Sequence, residues 1–160
     1  MKVTPLFILL IILASCGQGN NSQLQAKVDS LQQKLNNAYK PGLGEFMLGI
    51  QEHHAKLWFA GMNKNWDLAD FEVHEIGETL DDIKQYCTDR PEVKSIGMID
   101  PAIAHINNAI KNKDEAAFKK DYIELTSDCN SCHKNNKHRF NVIVIPTALP
   151  VTNQDFKPAK

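Results

Sequence analysis

The stretch from Trp66 to Cys87, W-D-L-A-D-F-E-V-H-E-I-G-E-T-L-D-D-I-K-Q-Y-C, carries Trp66, Ala69, Val73, Ile76, Leu80, Ile83 and Cys87 at alternating intervals of 3 and 4. Those intervals keep one face of a 3.6-residue helix apolar, whereas a strand would alternate at every second residue. The spacing predicts a helix roughly 30 Å long at 1.5 Å per residue. Asp67, Asp70, Glu72, Glu75, Glu78, Asp81 and Asp82 fall on its other faces and read as a solvated acidic surface.

The same periodicity extends outward. Before this helix, Leu43, Met47, Ile50, His54, Leu57 and Gly61 recur at helical spacing up to about Lys64, with Phe46 and Trp58 beside them. After it, Thr88 to Gly97 has loop signals, including Arg90-Pro91. Asp100-Pro101 then opens a shorter helix striped by Ile99, Ile103, Ile106 and Ile110. Asp114 caps a further helix whose stripe is Phe118, Tyr122, Leu125, Cys129 and Cys132. Amphipathic helices joined by short polar loops predict an all-α protein, with an antiparallel four-helix bundle over residues 41–137.

Both flanks differ from this pattern. Leu24, Val28, Leu31 and Leu35 form a short coiled-coil stripe, so residues 24–40 read as a coiled-coil-like helix ended by Pro41 and Gly42. Two heptads are marginal as a free oligomer. Self-association through residues 24–38 and folding back on the same chain both remain open. Residues 138–160 read as an extended arm, because Phe140, Val142 and Val144 alternate with Asn141, Ile143 and Ile145 before Pro146 and Pro150. With no sheet to join, their apolar side chains are expected under the helices.

The first residues form a separate case. Lys2 precedes the apolar run Pro5 to Ala14, too short to span a bilayer but of signal-peptide length, and the run ends in L-A-S-C-G. This resembles the lipobox of bacterial lipoproteins, which implies a signal peptide at 1–15 and acylation of Cys16. Residues 16–23 then read as a flexible tether. An exported, membrane-anchored lipoprotein on the periplasmic side or cell surface is expected, a setting that permits disulfides and covalent cofactors. Composition adds limits: 160 residues, 42% hydrophobic and 23% charged, with a formal charge of -1, exclude a collagen-like or largely disordered chain. They also argue against a nucleic-acid partner recruited by a basic surface.

Residues 129–133 read Cys129-Asn130-Ser131-Cys132-His133. Two thiols at this spacing can form thioethers with the two vinyl groups of haem, and the next residue offers an imidazole to the iron. With 4 Cys and 6 His in 160 residues, chance would give this pattern in roughly 4 of 1,000 such chains. Zinc held by Cys87, Cys129, Cys132 and a histidine is an alternative, although a second paired-ligand turn is absent. A thioredoxin-type site would need a helix starting at the motif, whereas here the motif closes one. A Cys129-Cys132 disulfide would leave His133 unexplained.

The export signal, bundle pattern and late C-x-x-C-H together resemble cytochrome c prime and related monohaem bundle cytochromes c, over about residues 43–137. H-H-A-K-L-W-F-A-G from His53 and N-W-D-L-A-D-F-E from Asn65 are also similar to helices of small exported cytochrome-like proteins. The resemblance implies haem c held by Cys129 and Cys132, with His133 as proximal iron ligand. The N-terminal coiled coil and long C-terminal arm depart from cytochrome c prime, so gas binding at an open iron does not carry over. For the sixth iron position the candidates are His54, the distal ligand entertained first, and Met47, with His53, Met62 and His74 at the edges of the apolar face. The basic run Lys134 to Arg139 is placed to screen haem propionates.

Three functions follow as expectations: a tethered monohaem cytochrome passing single electrons to an envelope redox partner, a haem-based gas-binding or sensing module, or a haem-free lipoprotein with a zinc or disulfide site and a coiled-coil interaction role. No constellation of acid, base and nucleophile appears, so no enzyme is expected. Cys87, left unpaired, reads as a buried, inert thiol.

Overall fold

The computed structural model describes residues 18–159. The expected signal peptide at 1–15 and the lipid attachment at Cys16 lie outside the described residues. Among the described residues the chain is all-helical, without strands: α1 (Gln18–Asn36), α2 (Leu43–Met62), α3 (Trp66–Tyr86), a 3-10 helix (Pro91–Ile99), α4 (Asp100–Lys111) and α5 (Glu115–Asn135). None of these helices is long and apolar enough to cross a membrane. The described residues fall into two compact units, one before and one after the boundary between Lys40 and Pro41.

In the first unit, α1 begins at Gln18, so residues 18–23 are helical rather than the tether read from their composition. No proline interrupts the helix, and side-chain bonds one turn apart brace it, Gln25 to Asp29 at 2.8 Å and Gln32 to Asn36 at 3.0 Å. Leu24, Val28, Leu31 and Leu35 are all exposed.

In the second unit, α2 packs most extensively on α3, and α4 packs on both α5 and α3. The apolar stripes meet as their periodicity requires: Leu57, Ala69, Ile83, Ile106, Phe118 and Tyr122 are fully buried. Gly61 is needed for close packing, since a Cβ there would overlap the Phe118 ring. Trp58 lies 4.8 Å from Tyr122 and Trp66 lies 6.0 Å from Phe118, ring centroid to centroid, which gathers the aromatic side chains in the core. Asp114 caps α5 as its sequence position suggests, its Oδ1 accepting from the Ala116 and Ala117 amides at 3.0 Å.

α2, α4 and α5 end alike. Asn63, Asn112 and Asn136 each return a side-chain N–H to the carbonyl four residues back, at 2.8 to 2.9 Å. The following Lys64, Lys113 and Lys137 take φ of 59°, 53° and 65°. The next amides, Asn65, Asp114 and His138, reach back to Ala60, Ala109 and His133 carbonyls, completing a Schellman closure each time. Glycine usually fills that left-handed position, so each lysine carries a backbone cost.

Three expectations need correction. The loop read at Thr88–Gly97 contains most of the 3-10 helix. Pro91 fixes φ at its start, and Val93, Ile96 and Ile99 recur every three residues, matching three residues per turn and burying Ile96 and Ile99. Glu72, read as part of the acidic surface, is buried, with Oε2 2.7 Å from His53 Nδ1. Burial raises the Glu72 pKa, and the His53 contact opposes that shift. Finally, Phe140, Val142 and Val144 are exposed rather than covered. The residues that alternate with them, Ile143 and Ile145, are the ones that pack on the core.

Candidate functional site

The last turns of α5 present Cys129, Cys132 and His133 at one wall of a cavity of about 360 Å³. Positions three apart on a helix share a face, which is why both thiols reach the same space. α2 supplies Leu43, Met47, Ile50 and His54 to the lining, α3 supplies Leu80, and the 3-10 helix supplies Ile96 and Ile99. Arg90, Glu92 and His138 add polar groups. The interior is therefore largely apolar, with charge concentrated among a few residues.

Both thiols are free and buried. Burial, aided by nearby Cys132 and Asp128, pushes the Cys129 thiol up to about 12. Cys132 is also raised by burial, against an opposing hydrogen bond from Asn136 Nδ2 at 3.5 Å. Cys87 is buried, free and raised by the same cause, and it does not line the cavity. Among the described residues no three His, Cys, Asp or Glu side chains converge to hold a metal ion, so the Cys87, Cys129 and Cys132 set considered for zinc is not assembled.

His133 has a defined tautomer. Its Nδ1 lies 2.7 Å from the Asn141 carbonyl oxygen, which can only accept, so Nδ1 donates and Nε2 of the neutral ring keeps its lone pair. Two local features bring Asn141 back to the histidine. The Asn136-Lys137 closure bonds the His138 amide to the His133 carbonyl at 2.7 Å. Farther along, Asn130 clamps Ile143 by both its backbone N–H and its carbonyl, each at 2.8 Å.

His54 sits differently. Its Nδ1 is 3.0 Å from the Tyr122 hydroxyl and its Nε2 is 2.9 Å from Thr126 Oγ1, so both ring nitrogens are engaged. Each hydroxyl also lies 2.8 Å from a backbone carbonyl oxygen, Tyr122 from that of His54 and Thr126 from that of Tyr122. A neutral ring donates through one nitrogen and accepts through the other, so one hydroxyl turns its single proton to the ring and the other to its carbonyl. Burial lowers the His54 pKa to about 4 and keeps the ring neutral. Of the other distal candidates, Met47 lines the cavity, whereas His53, Met62 and His74 do not. His53 pairs with Glu72, and His74 pairs with Glu78 at 3.1 Å on the surface.

Glu92 ties two side chains together, accepting from Arg90 at 2.9 Å and meeting His138 Nε2 at 3.1 Å. Its own backbone amide, Arg90 and His138 hold its carboxyl down to about 2. The sequence reading missed Arg90 and Glu92 as lining residues and the Asn141 carbonyl as the partner of His133. The Asn-Lys pair repeated at 63–64, 112–113 and 136–137 was a readable sign of the turn that positions that carbonyl.

Comparison with models of known protein families, with curated proteins and with solved structures finds no match to this chain.

Proposed function

We propose that the chain is a membrane-tethered monohaem c-type cytochrome that passes single electrons to a redox partner in the cell envelope. The observation that carries this reading is the joint one at α5: Cys129, Cys132 and His133 line one largely apolar cavity, and Asn141 holds His133 in the tautomer whose Nε2 is available. These residues fit haem c, because the two thiols are placed for thioether bonds and the imidazole for the iron. Bound haem supplies one-electron exchange at its iron. The protein's part is to orient that group, with Asn141 fixing the His133 ring and the apolar walls from α2, α3 and the 3-10 helix excluding water. A dry site disfavours the additional positive charge of the ferric state and so raises the reduction potential. The Arg90 guanidinium and the His138 ring are the groups suited to the haem propionates, with Glu92 setting their positions.

On this reading α2 to α5 are the members of an antiparallel four-helix bundle, and residues 138–160 are an arm whose Asn141 carbonyl serves the site. Burial of both thiols favours haem attachment before the C-terminal end of α5 packs. The lipobox-like L-A-S-C-G supports anchoring through Cys16. The exposed stripe of α1 supports pairing with a second copy. With Val28 and Leu35 at a positions and Leu24 and Leu31 at d, a parallel pair sets Lys27 opposite Gln32, whereas an antiparallel pair opposes lysines.

The deciding experiment is expression with a cytochrome c maturation system, followed by denaturing electrophoresis and haem staining. Haem is expected to stay on the wild-type chain and to be lost from the Cys129→Ala/Cys132→Ala variant. A wild-type chain without covalent haem, beside a control cytochrome that matures, overturns the proposal.

A further inference from the structure

We propose that Met47 is the second axial ligand of the iron. This rests on the haem reading, and it decides between an electron-transfer site and an open, gas-binding one. A sixth ligand must come from a side chain that lines the cavity. Of the five candidates on α2 and α3, only Met47 and His54 do so. Met62 lies on the same helix as Met47, roughly 22 Å farther along at 1.5 Å per residue.

His54 is committed elsewhere. Tyr122 and Thr126 occupy its two nitrogens, one hydroxyl accepting from the ring and the other donating to it, and each hydroxyl also lies 2.8 Å from a backbone carbonyl of α2 or α5. Coordination through either nitrogen would strip a buried hydrogen bond that joins α2 to α5. The ring is thus a strut joining α2 to α5 at the cavity wall. His138 also lines the cavity, but its Nε2 is on Glu92 and its amide is bonded to the His133 carbonyl, which ties it to the proximal side. The remaining polar lining includes Gln51, Asn136 and Asn141, whose amides are poor iron ligands.

Met47 meets the requirement on each count. It is half-buried, it comes from α2 whereas His133 comes from α5, and among the described residues no hydrogen bond engages its sulfur. A thioether is a soft ligand that haem iron accepts without deprotonation, and a site built from side chains on two different helices is the usual arrangement in a helical bundle. Histidine–methionine ligation makes the iron low-spin and raises its potential relative to bis-histidine ligation.

The test uses the full chain matured with haem, as wild type, Met47→Leu, Met47→His and His54→Gln. Denaturing haem stain, visible and near-infrared absorption, electron paramagnetic resonance and carbon monoxide titration of the reduced protein are read on each. The wild type is expected to be low-spin, with a sulfur-to-ferric-iron charge-transfer band and no carbon monoxide binding in the micromolar range. Met47→Leu should keep its covalent haem, lose that band, become high-spin and bind carbon monoxide. Met47→His should restore the low-spin state without the band, and His54→Gln should retain the wild-type spectrum. Covalent haem on Met47→Leu with an unchanged spectrum, or a high-spin wild type, overturns Met47 as ligand while leaving the haem reading intact. A haem-free wild type overturns both. If Met47→Leu does not accumulate, Met47→His alone decides: persistence of the sulfur band in it refutes the assignment.

Discussion

Replacing His54 by Gln and then lowering the pH isolates one buried group. His54 is 3% exposed, and its pKa falls from the ordinary 6.5 to about 4 because burial penalises the charged ring. Between those values the unfolded chain binds a proton that the folded chain refuses, so stability falls as pH falls. The loss from this group comes to about 2 kcal/mol at pH 5 and about 3 kcal/mol at pH 4, relative to neutral pH. Glutamine keeps one donor and one acceptor for Tyr122 and Thr126 but does not titrate. Urea unfolding of the mature wild type and of His54→Gln, at half-unit steps from pH 7 to pH 4, gives the difference in stability at each pH. Every other titrating group cancels from that difference. Wild type should be the more stable at pH 7, and its advantage should shrink by about 2 kcal/mol by pH 5. An advantage that stays constant across the range refutes the claim that His54 is held neutral by burial.

Further outcomes are expected for stability, thiol reactivity and self-association. Gly61→Ala should lose about 1–3 kcal/mol in chemical denaturation, because its Cβ must displace the buried Phe118 ring. Gly49→Ala, in the same helix with open space around its Cβ, should instead gain about 0.5–1 kcal/mol. Lys113→Gly should raise stability by about 0.5–1 kcal/mol, since its φ of 53° suits glycine; a loss in the same assay would argue against the left-handed closure. Site-resolved mass spectrometry of the haem-free chain at pH 8 should find Cys87, Cys129 and Cys132 alkylated far more slowly than in urea, because the buried thiols stay protonated. Rapid labelling of folded Cys129 would contradict its burial. For α1, Leu24→Cys should cross-link to itself in a parallel pair, whereas preferential cross-linking between Leu24→Cys and Leu35→Cys chains would show the antiparallel arrangement.

The apolar periodicity of α2 to α5, the Asp114 cap and the C-x-x-C-H segment are local properties, and each was legible from residues within a turn or two of one another. Periodicity fixes which face of a helix is buried, and thereby places Cys129 and Cys132 on an inward stripe. It does not say what a polar side chain on that stripe meets. Glu72 looked like one more exposed acid until α2 brought His53 against it, and the Pro91–Ile99 segment looked like a loop because its three-residue period is short and weak. His54 illustrates the limit best. Its place among apolar residues marked it as unusual, but its partner Thr126 lies 72 positions away and Tyr122 lies 68 away. Only the packing of α2 on α5 could turn it from a candidate ligand into a hydrogen-bonded strut. In the same way, sequence order placed His133 beside two thiols, while the return of the chain to Asn141 selected the nitrogen that carries its proton. A motif's residues are fixed by covalent sequence; their tautomers, ionisation and partners are set by chain segments that only the folded state brings together.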